Sequence, residues 1–210
     1  YHTMIDPRCF SDCDGRYVGA DKKIYQTENF TYRTVFSGWD VFRSQFPLQT
    51  LINPRLVNDE INSLIQIAQL SGKEYYPRWE VVNAYSGCML GNPAISVLAD
   101  AYEKGIREYD VQKAVEYAEN TQKQFGNGDL GYTPGSLSHT LEYAYTDWCL
   151  GQLMGSLGKK KEAAEYEKRA KAYRNVWCDS VQWFRARMKG GGWLPWRGRT
   201  AQDQGTTESN

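Results

Sequence analysis

The sequence predicts a mainly α protein: a short β-rich N-terminal segment, residues 1–35, followed by αα-hairpins that build an incomplete, N-terminal part of an (α/α)6 toroid over residues 36–210. Three observations predict it. Apolar residues recur at helical spacing from Asp40 onward. Short and long connections alternate between the six helical stretches, which pairs them into hairpins. The long connections at 73–90, 125–136 and 178–210 are rich in Trp, Tyr, Arg and Asn, as expected of loops gathered at one mouth. A helical solenoid is the alternative, but tetratricopeptide-like arrays keep a short fixed period that is missing here.

Taken in order, residues 1–35 alternate β-like runs with turns, and Asp14-Gly15 before Arg16-Tyr17-Val18 reads as a hairpin turn. Asp12-x-Asp14-Gly15 resembles the start of a calcium loop but lacks the remaining ligand spacing, so it is read as a turn. A first helix is expected over Asp40–Ile52, ended by Asn53-Pro54 because the residue before proline resists the helical region. A second follows at once, with Val57, Ile61, Leu64, Ile65 and Ala68 on one face and a stop at Ser71-Gly72. Asn92-Pro93 opens the third and Asp110 caps the fourth. The fifth, about Leu137–Leu157, carries Leu141, Ala144, Tyr145, Trp148 and Cys149 as its expected buried stripe. The sixth, Lys159–Val176, carries Ala163, Tyr166, Ala170, Tyr173 and, just beyond it, Trp177.

Lys plus Arg and Asp plus Glu both number 25, so no net field attracts a polyanion, and nucleic acid is not an expected partner. No apolar run reaches the length of a membrane span. The five cysteines have no Cys-x-x-Cys spacing; no zinc site is readable, buried free thiols are the default, and Cys9 with Cys13 is the one candidate bridge. The aromatic content of 14% is high, with 15 Tyr and 7 Trp set among polar residues, which suggests a carbohydrate cleft.

The stretch Phe36–Pro47 concentrates that chemistry. Trp39 offers a face for a pyranose, Asp40 can accept hydroxyl protons, Gly38 permits close approach and Arg43 follows one turn later. The competing structural reading makes Asp40 a helix cap and Trp39 part of the core. His139, Glu142 and Asp147 could line a cleft, and His139 reads as a structural histidine.

Several blocks carry a resemblance. They run through Phe10-Ser11-Asp12 with Asp14-Gly15-Arg16-Tyr17, Phe30–Gln49, Pro77-Arg78-Trp79-Glu80, Asn83–Met89, Gly91-Asn92-Pro93-Ala94, Gly131–Pro134, Ser138–Tyr145 and the terminal Thr207-Glu208-Ser209-Asn210. On these residues nearly the whole chain resembles glycoside hydrolase family 92, the calcium-dependent exo-α-mannosidases. The resemblance implies an (α/α)6 catalytic barrel with a preceding β-sandwich domain, inversion at the anomeric centre, and removal of terminal mannose from mannose-rich glycans by an α-1,2-mannosidase type of activity.

Glu208 matches the family's general acid, Trp39 and Asp40 match positions that hold the terminal mannose, and Arg78 with Trp79 is assigned to the same pocket. The family's general base and its Ca2+ ligands belong to motifs expected downstream of Glu208, and neither motif occurs in these residues. The enzyme is therefore expected to be longer at both ends, and these 210 residues alone are expected to be inactive, because an acid without an oriented water cannot complete inversion. The resemblance also implies a secreted or periplasmic bacterial protein. The alternatives are a non-catalytic helical scaffold or glycan-binding module, or another (α/α)6 carbohydrate-active enzyme such as a polysaccharide lyase.

Overall fold

The computed structural model describes residues 5–207. The chain divides into two compact units, Tyr1–Gln124 and Phe125–Asn210, a boundary inside the stretch that the sequence assigns to one barrel segment. Helices dominate both, and the strands among the described residues pair only two by two.

The first unit opens with strands β1 (Arg8–Cys9), β2 (Arg16–Val18), β3 (Ile24–Gln26) and β4 (Arg33–Thr34). β2 pairs antiparallel with β3, Tyr17 opposite Tyr25, and β1 pairs with β4, Arg8 opposite Thr34. The hairpin turn is therefore at 19–23, after β2. Asp14-Gly15 instead turns the chain into β2: Gly15 has a φ of +80°, and a Cβ there would lie 2.2 Å from the Thr27 carbonyl oxygen.

Helix α1 (Gly38–Val41) and helix α2 (Gln45–Ile52) replace the single helix expected over Asp40–Ile52. Ser44 leaves the helical region with φ −144°, and Pro47 in the first turn of α2 has no N–H to bond back across the break. Helix α3 (Pro54–Leu70) starts as its sequence predicts, with the Asn53 side chain accepting from the Leu56 N–H at 3.3 Å. Its buried face is Val57, Ile61, Leu64, Ile65 and Ala68. A short hairpin, β5 (Glu80–Val81) and β6 (Ala84–Tyr85), precedes helices α4 (Pro93–Glu103) and α5 (Val111–Phe125). Asp110 caps α5 by accepting from the Lys113 N–H at 3.0 Å. Asn92 does not cap α4 with its side chain, which donates to Gln122 at 2.7 Å.

In the second unit helix α6 (Leu137–Ser156) packs on helix α7 (Lys160–Arg169) and on the 3-10 turns of Ala170–Val176 that continue it. The expected stripe of α6 is half wrong. Ala144 and Cys149 are buried with Leu150, Leu153 and Met154, whereas Tyr145 and Trp148 are 43% and 50% exposed. Tyr173 and Trp177 are likewise exposed rather than packed inward, because the tightening from α to 3-10 geometry after Arg169 rotates the face. Strands β7 (Trp177–Cys178) and β8 (Trp183–Phe184) follow. All five cysteines are free, and Cys9, Cys13 and Cys88 are exposed, so the buried default holds only for Cys149 and Cys178. Among the described residues no helix is long and apolar enough to cross a membrane.

Candidate functional site

Two segments of the first unit come together at one buried carboxylate. Glu80, fully buried at the start of β5, accepts from the Thr34 hydroxyl and from three backbone N–H groups, of Val35 at 2.9 Å, Phe36 at 3.4 Å and Asn83. Burial pushes its carboxyl up, and those hydrogen bonds pull against the rise. Val35 needs this hold: a β-branched residue at φ +67° stores about 1–3 kcal/mol of strain. The hairpin tip at Val82-Asn83 also has both φ values positive, as a type I′ turn requires. Asn83 anchors that tip by accepting from the Tyr32 hydroxyl and donating to the Val18 carbonyl at 2.8 Å.

Glu80 thus fixes Ser37–Asp40 against Arg78–Trp79. The Trp79 indole N–H donates to the Ser37 hydroxyl, which donates in turn to Asp40 Oδ2. Ser37 therefore joins two of the sequence-predicted site residues through its own oxygen. Asp40 is exposed, and its bond to Ser37 uses Oδ2. Trp39 is half-buried. The Arg43 guanidinium stacks over its ring at 4.8 Å from the centroid and donates to the Trp39 carbonyl at 3.0 Å, so one indole face is already covered. The buried Trp39 indole N–H has no partner among the described residues. Gly38 does permit a close approach, though of protein: a Cβ there would lie 2.7 Å from the Arg78 carbonyl oxygen and from Pro93.

Arg78 is buried and turned into the protein. It donates to the carbonyls of Gly91 at 3.0 Å, Met89 at 2.8 Å and Gly87 at 3.4 Å, clamping a loop whose residues 87, 89 and 91 all have positive φ. The structure thus brings Trp39, Asp40 and Trp79 together and uses Arg78 as the strut beneath them. Sequence reasoning assigned no role to Ser37 or Glu80. The legible signal for Glu80 was a carboxylate between a tryptophan and two valines, where an unpartnered charge would be costly.

Glu208 lies outside the described residues. His139 sits in the first turn of α6, its Nδ1 2.8 Å from the Ser136 hydroxyl that caps the helix. Asp147 is buried and pairs with Arg169 at 3.1 Å, joining α6 to α7. No group of three or more His, Cys, Asp or Glu able to hold a metal occurs among the described residues. Asp14 is committed to Arg16, accepting from its side chain at 2.6 Å and its backbone N–H at 3.1 Å.

The glycosyl hydrolase family 92 catalytic domain profile matches residues 1–210. Among solved structures, the chain is similar to a family GH92 alpha-mannosidase from Bacteroides thetaiotaomicron, at 32% identity and a TM-score of 0.92 over 97% of this chain and 29% of that one. The complex of that mannosidase with mannoimidazole matches at 32% identity and a TM-score of 0.89, over 94% of this chain and 28% of that one. A family GH92 inverting mannosidase from Bacteroides thetaiotaomicron VPI-5482 matches at 29% identity and a TM-score of 0.85, over 99% of this chain and 31% of that one. No curated protein sequence matches. The mainly α fold class read from the sequence stands, and the helix-rich architecture is consistent with part of a helical toroid. The chain spans less than a third of the length of the mannosidases it matches.

Proposed function

Because the chain belongs to glycosyl hydrolase family 92, we propose that it is part of an inverting exo-α-mannosidase that removes terminal, α-1,2-linked mannose from mannose-rich glycans. The observation that carries this reading is the chain of hydrogen bonds from Trp79 through Ser37 to Asp40 beside the half-buried face of Trp39. Ser37 orients the Asp40 carboxylate so that its other oxygen can accept sugar hydroxyls, while the uncovered face of Trp39 packs on the apolar side of the ring. Arg78 holds the loop that supports them.

Glu208 serves as the general acid that protonates the leaving oxygen, and a second carboxylate activates water on the opposite face. The similarity to an alpha-mannosidase that binds mannoimidazole and to an inverting mannosidase supports this assignment. The general base, the Ca2+ ligands, the rest of the barrel and a β-sandwich domain belong to sequence outside these residues, and the 210 residues alone release no mannose. Export to the periplasm or the medium is part of the same proposal.

The test is mannose release from an α-1,2-mannobiose by the full-length protein carrying this chain, with the product anomer followed by NMR before and after chelation. Asp40→Asn is expected to raise KM about 10- to 100-fold, the loss of a charge-assisted hydrogen bond to the substrate. An unchanged KM, or first-formed β-mannose missing from the wild-type spectrum, would overturn the reading.

A further inference from the structure

Although the chain as a whole balances 25 basic against 25 acidic residues, residues 180–202 hold Arg185, Arg187, Lys189, Arg197 and Arg199 and no Asp or Glu. The fold draws two of these cations onto one face. After β8 the chain doubles back: Arg187 pairs antiparallel with Trp193, the Leu194 N–H donates to the Ala186 carbonyl at 2.9 Å, and the Met188 N–H donates to the Gly192 carbonyl at 2.7 Å. Side chains alternate between the two sides of such a hairpin. Phe184, Ala186 and Leu194 pack into one cluster with Leu137 and Val176, which turns Arg185, Arg187 and Trp193 to the other side. There the guanidinium carbons of Arg185 and Arg187 lie 5.5 and 4.3 Å from the centroid of the Trp193 ring, and that of Arg185 lies 5.6 Å from the Trp196 centroid. Arg199, which is exposed, stacks over Trp183 at 5.0 Å.

Holding the hairpin together does not use these cations up. Arg185 donates to the Leu194 carbonyl at 2.6 Å and to the Cys178 sulfur at 3.5 Å, and Arg187 donates to the Gly191 carbonyl at 3.4 Å. The Nε–H of each is nevertheless buried without an acceptor among the described residues, and none of the five cations has a carboxylate partner among them. Between Trp183, Arg185 and Trp196 lies a cleft of about 20 Å³, room for a group the size of a water molecule and too small for a sugar ring. An anionic oxygen at the tip of a larger ligand fits both that space and that charge. A tetrahedral oxyanion can present its oxygens to more than one guanidinium fork at once, which a planar carboxylate does less well. We propose that the Arg- and Trp-lined face of residues 183–199 binds a phosphate or sulfate ester carried by the glycan, so that the protein prefers anionic mannose-rich glycans over neutral ones. This rests on the reading of the substrate as a mannose-rich glycan.

The test uses the full-length protein, titrated by rapid mixing and followed by tryptophan fluorescence before mannose is released. The probes are mannopentaose, the same sugar with a 6-phosphate or a 6-sulfate on its reducing-end residue, and inorganic phosphate. At least one ester is expected to bind about 10- to 100-fold more tightly than mannopentaose, as hydrogen bonds to a charged group allow, and the tighter ester identifies the group. Arg187→Gln should abolish that preference and leave the affinity for mannopentaose unchanged. Should Arg187→Gln fail to fold, Arg199→Gln decides. It removes an exposed cation held by a 3.5 Å contact with the Val181 carbonyl, and it should cut the preference about 2- to 5-fold. Equal binding of neutral and esterified sugar, a preference undiminished in the folded variant, or inorganic phosphate binding as tightly as the ester would overturn the proposal. Mannose released from mannopentaose with no ester preference sinks this inference alone. No release and no binding of any probe sinks the mannosidase reading, and this inference with it.

Discussion

Glu60 shows how strongly one buried residue can tie this protein to pH. It is fully buried on α3, and both its carboxyl oxygens lie 2.9 Å from the side-chain amide of Gln49 on α2. Burial pushes its carboxyl up to about 9; Arg33 opposes the rise and Asp59 adds to it. Folded Glu60 therefore holds a proton that the unfolded chain releases near the ordinary carboxylate value of 4.5. Between those two values the folded state binds more protons, so stability falls as pH rises and levels off above the folded value. Glu60→Gln, whose amide can still pair with Gln49, is expected to flatten the fall in Tm between about pH 5 and pH 9. A wild-type slope retained in the variant would assign the pH dependence elsewhere.

At the scale of elements, α6 carries apolar residues on two sides, one packed on α7 and the other presenting Tyr145 and Trp148, stacked with centroids 6.2 Å apart. Met154→Ala on the packed side, where exposure is zero, should cost the chain about 2–5 kcal/mol in urea unfolding. Trp148→Gln should stay within about 0.5 kcal/mol and lower the binding of hydrophobic dyes. An equal loss at Trp148 would show that face to be covered. This is also where sequence reading reached its limit. Spacing located α3, α5 and α6, helped by Asn53-Pro54 and Asp110 at the starts of the first two and Gly158 after the end of the third. Which side of α6 is buried depends on what packs against it, and both sides look alike in composition. The break between α1 and α2 was legible in principle, since Pro47 stands inside the expected helix. At the site, Trp39, Asp40 and Trp79 could be singled out from residue type and resemblance. The Ser37 link and the Glu80 hub could not, because their partners lie 42 to 46 residues away in sequence.

For the molecule as a whole, the division at Gln124 was hidden for the same reason: the Gly-rich run after Phe125 reads as one more long loop, and only the packing on either side makes it a boundary. The first unit contains its own core, with Tyr32, Ile61, Tyr76 and Ile95 almost completely buried, and Tyr76 is tied to α5 by bonds to the Ala114 carbonyl at 3.0 Å and the Thr121 hydroxyl at 2.8 Å. Residues 1–124 expressed alone are expected to keep helical circular dichroism and a single cooperative melt; a chain without a melt would show that this unit depends on the second. The Glu80 hub has a consequence for synthesis as well. Thr34, Val35 and Phe36 find their acceptor only 46, 45 and 44 residues later. A nascent chain that has already released Trp39 and Asp40 from the ribosome has nothing yet to hold them, and the hydrogen bonds from Trp79 through Ser37 to Asp40 form only when residues 79 and 80 emerge and draw the earlier segment onto themselves.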